Sequence, residues 1–182
     1  MYYELTEDIF FDFGIFEPDG MPYDIDFISG EPIDQPLDDP IVFTTKATKD
    51  DVIPAFWNTA MPAVSKRFVD ILEGAGIDNL QKFPAIVKSI NDDTVWEDYY
   101  AVNILDMVKC ADLSLSEYNE IFPGSYSFDT LAIDASLAKG LLIFRLYESP
   151  DVILIHKSVG KYIGQHDPNR ELKGWTAKKV IQ

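Results

Sequence analysis

The sequence predicts an α+β fold with a mainly antiparallel sheet and a few short helices. Segments with strand-like composition outnumber helical ones, and closely spaced turn residues separate them. One segment combines a capping serine, an apolar face and closing glycines, which together favour an α-helix. Short hairpin connections between neighbouring strands are typical of the antiparallel sheets in α+β proteins.

The first 40 residues alternate aromatic and acidic side chains and are interrupted by Pro and Gly. Because Pro and Gly favour turns and acids occupy exposed faces, we expect short extended pieces joined by turns. The many aromatic side chains indicate that this part packs down instead of trailing as a tail. We therefore predict an acidic, aromatic-rich front segment, residues 1–45, packed on an α+β domain, residues 46–182.

The clearest predicted helix is Ser65–Glu73. Ser65 is a suitable N-cap, and Gly74 and Gly76 supply the stop. Its apolar face is predicted to consist of Phe68, Ile71, Leu72 and Ala75.

A hairpin is predicted next, with strands at Phe83–Ile90 and Val95–Leu105 around the turn Asn91–Thr94. Side chains alternate between the two faces of a strand. In the second strand one face is predicted to carry Tyr100, Val102 and Ile104, and the other Tyr99, Ala101, Asn103 and Leu105.

The last third of the chain is predicted to be rich in short strands. Ser149-Pro150 is interpreted as a breaker, and Gly160 and Gly164 weaken a short helix predicted at Lys157–Gln165. A turn or short helix is expected at Ala135–Gly140. The predicted strands are Leu131–Asp134, Leu141–Tyr147, Val152–Ile155 and Trp175–Ile181.

Charge is distributed very unevenly along the chain. Residues 1–45 contain twelve carboxylates and no Lys or Arg, whereas residues 139–182 contain four acids and eight bases. Nucleic acids and anionic membranes need Lys and Arg to neutralise phosphate, so this balance argues against both as partners. It favours a basic partner. The predicted partner-binding residues are Asp19, Asp24, Asp26, Glu31, Asp34, Asp38 and Asp39.

No apolar run approaches the roughly twenty residues that span a bilayer, and the first sixteen residues are acidic, unlike a signal segment. We therefore expect a soluble, cytoplasmic protein.

Candidate catalytic residues are few. His156 ends an apolar strand, His166 precedes a polar loop, and Cys110 is expected to be a half-buried, inert thiol. Asp24 and Asp26 would share one face of an extended segment, as a calcium or glycosidase pair requires, but the Gly and terminal Glu of a calcium loop are missing. No His-x-x-x-His or Glu-x-x-His spacing and no glycine-rich phosphate loop occurs, so we predict no catalytic residue, no metal and no cofactor.

Several phrases, in order along residues 52–178, resemble a family of bacterial immunity proteins that accompany toxins of polymorphic and contact-dependent systems. The family was first catalogued as a domain of unknown function. The phrases are Val64–Phe68 with Ile71–Glu73, Phe83–Val87 with Tyr99–Asn103, Cys110–Ser114, Ile143–Leu146 with Pro150–Ile155 and Ser158, and Leu172–Trp175. They consist mostly of residues that build strands and helices, so they indicate a fold family and do not mark a binding site.

The resemblance implies a small cytoplasmic antidote that binds and silences one toxin domain without performing chemistry. The residues themselves leave two other classes open. One is a small enzyme that uses a carboxylate pair or His156 on a small-molecule substrate, which would require a concave pocket with convergent polar groups. The other is a binding module for a small cationic ligand.

Overall fold

The computed structural model describes residues 1–18, 25–37 and 39–182. In this part of the chain the strands are β1 (Tyr2–Glu7), β2 (Ile15–Phe16), β3 (Ile41–Thr45), β4 (Phe56–Trp57), β5 (Ala63–Ser65), β6 (Leu80–Ser89), β7 (Val95–Ile104), β8 (Met107–Val108), β9 (Glu117–Phe122), β10 (Ser125–Thr130), β11 (Ile143–Leu146), β12 (Ser149–His156) and β13 (Trp175–Lys179). The helices are α1 (Lys66–Gly74), α2 (Lys157–His166) and a short 3₁₀-helix at Ala135–Ala138.

The strands form two larger sheets and one separate hairpin. The five-stranded sheet has the order β13-β1-β12-β11-β8, the six-stranded sheet has the order β2-β3-β6-β7-β5-β4, and β9 and β10 pair with each other. Two neighbouring pairs, β8 with β11 and β3 with β6, are parallel, and the other described pairs are antiparallel. The fold is thus mostly antiparallel sheet with two helices, in broad agreement with the α+β prediction.

Three hydrophobic clusters fill the interior. The first lies where both sheets meet the two helices and includes Leu5, Phe68, Val102 and Ile155. The second packs β3, β6 and β7 against the front segment. The third covers the other face of the five-stranded sheet and includes Tyr2, Cys110 and Phe144.

Local signals predicted α1 correctly. The Ser65 side chain accepts a hydrogen bond from the Phe68 amide at 3.4 Å, which satisfies one of the free amide groups of the first turn. The helix ends at Gly74, and Gly76 then adopts a positive φ of 95° while its amide donates to the Glu73 carbonyl at 2.9 Å. Phe68, Ile71 and Leu72 are buried as predicted, and Ala75 is partly buried.

The β6–β7 hairpin and helix α2 are also confirmed, within one to three residues at their ends. Tyr100, Val102 and Ile104 contact the first cluster, whereas Tyr99 and Ala101 contact the second, as alternation predicts.

Two predictions in the last third are wrong. Leu131–Asp134 is not a strand, because its backbone makes only isolated bridges, Ala111 with Ile133 and Ala132 with Ile181, although its first three residues are buried. Ser149-Pro150 does not break the chain but begins β12, and Ser149 pairs with Leu146 across an irregular register. A proline at a strand start is tolerated because its missing amide lies at the end of the ladder.

The front segment contributes strands to both large sheets. β1 lies between β12 and β13, and β3 pairs in parallel with β6. The division of the chain near residue 45 stays a prediction, since strands from both sides of it share the same sheets.

Candidate partner-binding surface

The acidic segment that follows residue 24 is held firmly against the six-stranded sheet. Phe27 and Ile33 are buried in the second cluster. The Gln81 side chain accepts a hydrogen bond from the Ile33 amide at 2.9 Å and donates to the Ile33 carbonyl at 2.7 Å. The buried Asn103 side chain donates to the Glu31 carbonyl at 2.8 Å. Two buried side chains, and hydrogen bonds from the side-chain amides of Gln81 and Asn103, which we call the amide clamps, therefore fix the backbone of this segment.

Four of the predicted partner-binding carboxylates lie in the described part of this segment, and all four are exposed: Asp26, Glu31, Asp34 and Asp39. We call them the acidic face. Asp26 also accepts a hydrogen bond from the Ile28 amide at 2.7 Å, which closes a local turn. The other three predicted residues, Asp19, Asp24 and Asp38, lie outside the described residues.

No carboxylate of the acidic face forms an ion pair with a basic residue that the structure describes. The ion pairs found in this part of the chain are Lys66–Asp70, Arg67–Asp167, Arg67–Glu171, Lys82–Glu73 and Lys178–Glu4. None of them involves the acidic face. Its negative charge is therefore directed to solvent, where it is available to steer a basic partner.

A groove of about 650 Å³ lies between the start of α1 and the start of β7. Several of its polar side chains are already bound within the protein. Ser65 caps α1, Lys66 pairs with Asp70 at 2.7 Å, and the Tyr99 hydroxyl donates to the Pro54 carbonyl at 2.8 Å. Neither His156 nor Asp26 lines this groove, so it does not bring the predicted catalytic candidates together.

His156 serves as the N-cap of α2. Its Nδ1 atom accepts from the Ser158 hydroxyl at 2.8 Å and from the Ser158 amide at 3.4 Å, and its ring packs edge-on against Tyr2 at 5.2 Å. Partial burial lowers the pKa of His156 below its ordinary value of 6.5, and the positive charges of the Met1 amino group and Lys157 lower it further. Both effects favour the neutral ring over the charged one.

Replacing His156 with asparagine is expected to remove a pH-dependent part of the stability. The folded state holds the proton on His156 less well than the unfolded state does, so the contribution of the neutral ring is present above pH 6.5 and is lost as the pH falls below it. Asn keeps a side-chain oxygen that can cap the helix but does not titrate. Urea unfolding at about pH 8 and about pH 5 measures the difference between the two proteins. That difference should shift in favour of the variant at the lower pH, and an unchanged difference would contradict the lowered pKa of His156.

The other two catalytic candidates, Cys110 and His166, also make contacts that are typical of residues with a structural role. Cys110 is fully buried, which corrects the prediction of a half-buried thiol, and its burial raises its pKa to about 12. The carboxylates of Glu148 and Asp134 act in the same direction. His166 stacks on Tyr162 with 3.9 Å between ring centroids, and its Nδ1 atom lies 3.0 Å from the Tyr162 carbonyl.

Arg145 is a buried charged residue that the sequence did not single out as functional. In the sequence it stands within the apolar strand segment Ile143–Leu146. It is completely buried, and its Nη1 atom donates to the Pro150 carbonyl at 2.6 Å. Within the described residues, Nε and Nη2 have no hydrogen-bond acceptor. Burial lowers the pKa of Arg145 to about 10, and the carboxylates of Asp151 and Asp26 partly offset this. The sequence signal for this residue was an isolated arginine within an apolar run, because charged side chains are almost never fully buried unless they are paired.

No cluster of three or more His, Cys, Asp or Glu side chains that could hold a metal ion occurs in residues 1–18, 25–37 and 39–182. Over the same residues, none of the helices has the length and apolar character needed to cross a bilayer.

Comparison with known proteins assigns a family. Residues 4–181 match the model of the Immunity protein family (Imm11). This match begins before β1 has ended, so it includes the acidic part of the chain that lay outside the resemblance in the sequence. No curated protein matches the chain. Because the match extends over nearly all of its 182 residues, the chain belongs to the Imm11 immunity protein family.

Proposed function

We propose that this protein binds one cognate toxin domain of a polymorphic toxin system and neutralises it by covering its working surface, without catalysing a reaction. The family match over residues 4–181 carries this proposal. Immunity to a toxin requires a partner protein, and occlusion requires only a stable complementary surface.

Charge supports a basic partner. The chain has a formal net charge of −16, and the acidic face is exposed without a described ion-pair partner. Toxin domains that act on nucleic acid need basic surfaces to bind phosphate. An acidic inhibitor that covers such a surface gains both a faster encounter and charge complementarity. By the same argument neither a nucleic acid nor an anionic membrane is the partner.

The proposed binding residues are the acidic face together with Asp19, Asp24 and Asp38. Support comes from the anchoring of the segment through Phe27, Ile33 and the amide clamps, because a fixed backbone presents charges without a large ordering cost on binding. We place this interaction in the cytoplasm of the producing cell, where an antidote would meet toxin that has just been made or delivered.

Titration of a purified toxin domain with this protein tests the mechanism. The toxin domain is the one that the tagged protein captures from the producing strain and that kills cells when expressed alone. Occlusion predicts that toxin activity falls linearly and reaches zero near one equivalent, provided that both proteins are well above Kd. It also predicts full recovery of activity when the toxin domain is separated from the complex and refolded, because the toxin is not altered covalently.

Two results would contradict the proposal. Loss of toxin activity at far less than one equivalent, or activity that does not return after separation, would indicate a catalytic antidote. The matched control is His156→Ala, which removes the imidazole that an enzyme would use. A folded His156→Ala protein should neutralise the toxin at the same ratio as the wild type.

A further inference from the structure

The β9–β10 hairpin, residues 117–130, is a sheet of its own and carries an unusual amount of exposed apolar surface. Every residue of β9 is exposed, including Ile121 at 55% and Phe122 at 70%. Leu115 and Tyr118 add further exposed apolar area. A two-stranded hairpin without an apolar covering is marginally stable in water, so a free tip of this composition needs an explanation.

The hairpin is nevertheless well ordered by its own contacts. Tyr118, Tyr126 and Phe128 form a ring cluster with centroid separations of 5.1 to 6.2 Å. The turn is closed by Gly124, whose φ of 83° is accessible to glycine and whose amide donates to the Glu120 side chain at 3.1 Å. The side chains of the tip are therefore displayed on a prearranged support.

The hairpin is tied to the five-stranded sheet through β10. The Tyr126 amide donates to the Glu148 carbonyl at 2.8 Å, and the Phe128 side chain packs against the third cluster. The Ala132 amide donates to the Ser116 hydroxyl at 2.9 Å. These contacts hold β10 and the residues that flank the hairpin, whereas the side chains of Ile121 and Phe122, on β9 next to the turn, stay exposed.

Charge indicates what the tip meets. Residues 110–138 contain five carboxylates and no Lys or Arg. Glu117 and Glu120 lie on β9 itself, beside the exposed apolar side chains. An apolar tip surrounded by carboxylates fits an apolar depression with a basic rim, and a second copy of this acidic protein would meet it with like charge over most of its surface.

We propose that the tip of this hairpin, Ile121 and Phe122, inserts into an apolar, basic-rimmed cleft of the toxin domain and supplies most of the contact energy of the complex. The inference rests on the proposed function and adds a second contact to the acidic face. Large apolar side chains at the centre of an interface carry much of its affinity, whereas charges outside the centre mainly set the association rate.

The hairpin and the acidic segment are joined by a short path of contacts. A Cβ atom added to Gly30 would lie 3.1 Å from Met107 Cβ, so the segment lies directly against β8. The Tyr147 amide donates to the Val108 carbonyl at 2.9 Å, and the next residue, Glu148, accepts from the hairpin at Tyr126. The acidic segment and the hairpin thus flank the same edge strand, β8.

The test compares two double variants. One carries Ile121→Ser and Phe122→Ser in the tip of the hairpin, and the control carries Val52→Ser and Ile90→Ser. Both pairs are exposed apolar residues, so each variant should fold, which circular dichroism checks. Binding of the purified toxin domain is measured by calorimetry. The hairpin variant is expected to raise Kd at least about thirtyfold, and the control pair should leave it unchanged.

Hydrogen exchange gives a second measurement that does not depend on a variant. The amides of residues 117–124 should exchange more slowly in the complex with the wild-type protein than in the free protein. A hairpin variant that binds as tightly as the wild type, or unchanged exchange, would overturn the hairpin inference and leave the proposed function intact. Failure of the wild-type protein to bind any toxin domain would overturn both. A dimer of this chain that the hairpin variant disrupts would assign the tip to self-association and would also overturn the inference.

Discussion

Replacing Phe68 with alanine is expected to lower the free energy of unfolding by about 3–5 kcal/mol, the largest stability loss that we predict for a single substitution. The Phe68 side chain is completely buried where α1 meets both sheets. Its ring centroid lies 6.1 Å from that of Phe56 and 5.1 Å from that of Trp175. Alanine would leave a cavity between these two rings, which are fixed in different parts of the fold and cannot both move in to fill it.

Urea unfolding and calorimetry measure this effect, and a fall in Tm of roughly 10 °C should accompany it. Asp70→Ala on the same helix is the matched control. Asp70 is exposed and makes one ion pair with Lys66, so its loss should cost less than about 1 kcal/mol. If Phe68→Ala unfolds within about 1 kcal/mol of the wild type, the apolar face of α1 does not support the core in the way described here.

The elements that could be predicted from the sequence are those with complete local signals. Helix α1 has its cap at Ser65, its apolar face and its closing Gly76 within twelve residues, and the structure uses each of them. The β6–β7 hairpin was predictable because two apolar strands flank a four-residue polar turn.

Elements fixed by distant contacts could not be predicted in the same way. The parallel pairing of β3 with β6 joins Ile41 to Ala85, and no local pattern specifies it. The β9–β10 hairpin escaped prediction because β9 is exposed along its whole length and lacks the apolar-polar alternation of a half-buried strand. The strand predicted at Leu131–Asp134 failed for the opposite reason, since its first three residues are apolar and buried but have no continuous partner strand.

For the candidate surface, composition predicted the charge, and the structure supplied its arrangement. A run of carboxylates without bases is visible in the sequence, and the exposure of Glu31 and Asp34 follows from it. The amide clamps from Gln81 and Asn103 could not be predicted, because these two residues are distant in sequence from the segment that they hold. Arg145 shows the same limit, since its burial depends on packing between β11 and the residues around it.

Reversing three charges of the acidic face, Glu31→Lys, Asp34→Lys and Asp39→Lys, is expected to slow association with the toxin domain by at least about tenfold at low salt. Each of these carboxylates is exposed and makes no side-chain hydrogen bond with another described residue, so the fold should tolerate the change. Three lysines would place positive charge where the basic partner arrives, which adds repulsion to the loss of attraction. The wild-type rate should itself fall steeply as salt rises, because screening acts beyond about 8 Å at physiological ionic strength.

The matched control reverses three exposed carboxylates elsewhere, Asp50→Lys, Asp78→Lys and Asp93→Lys, so that both variants have the same net charge. A difference between them therefore reports the position of the charges and not their number. Circular dichroism establishes that both variants are folded before they are compared.

Stopped-flow association of the toxin domain with these three proteins is the most direct test that the acidic face meets the partner. The account predicts that the acidic-face variant associates at least about tenfold more slowly than the control variant at low salt, and that the gap narrows as salt rises. Equal rates for the two variants, or a wild-type rate that does not change with salt, would contradict it.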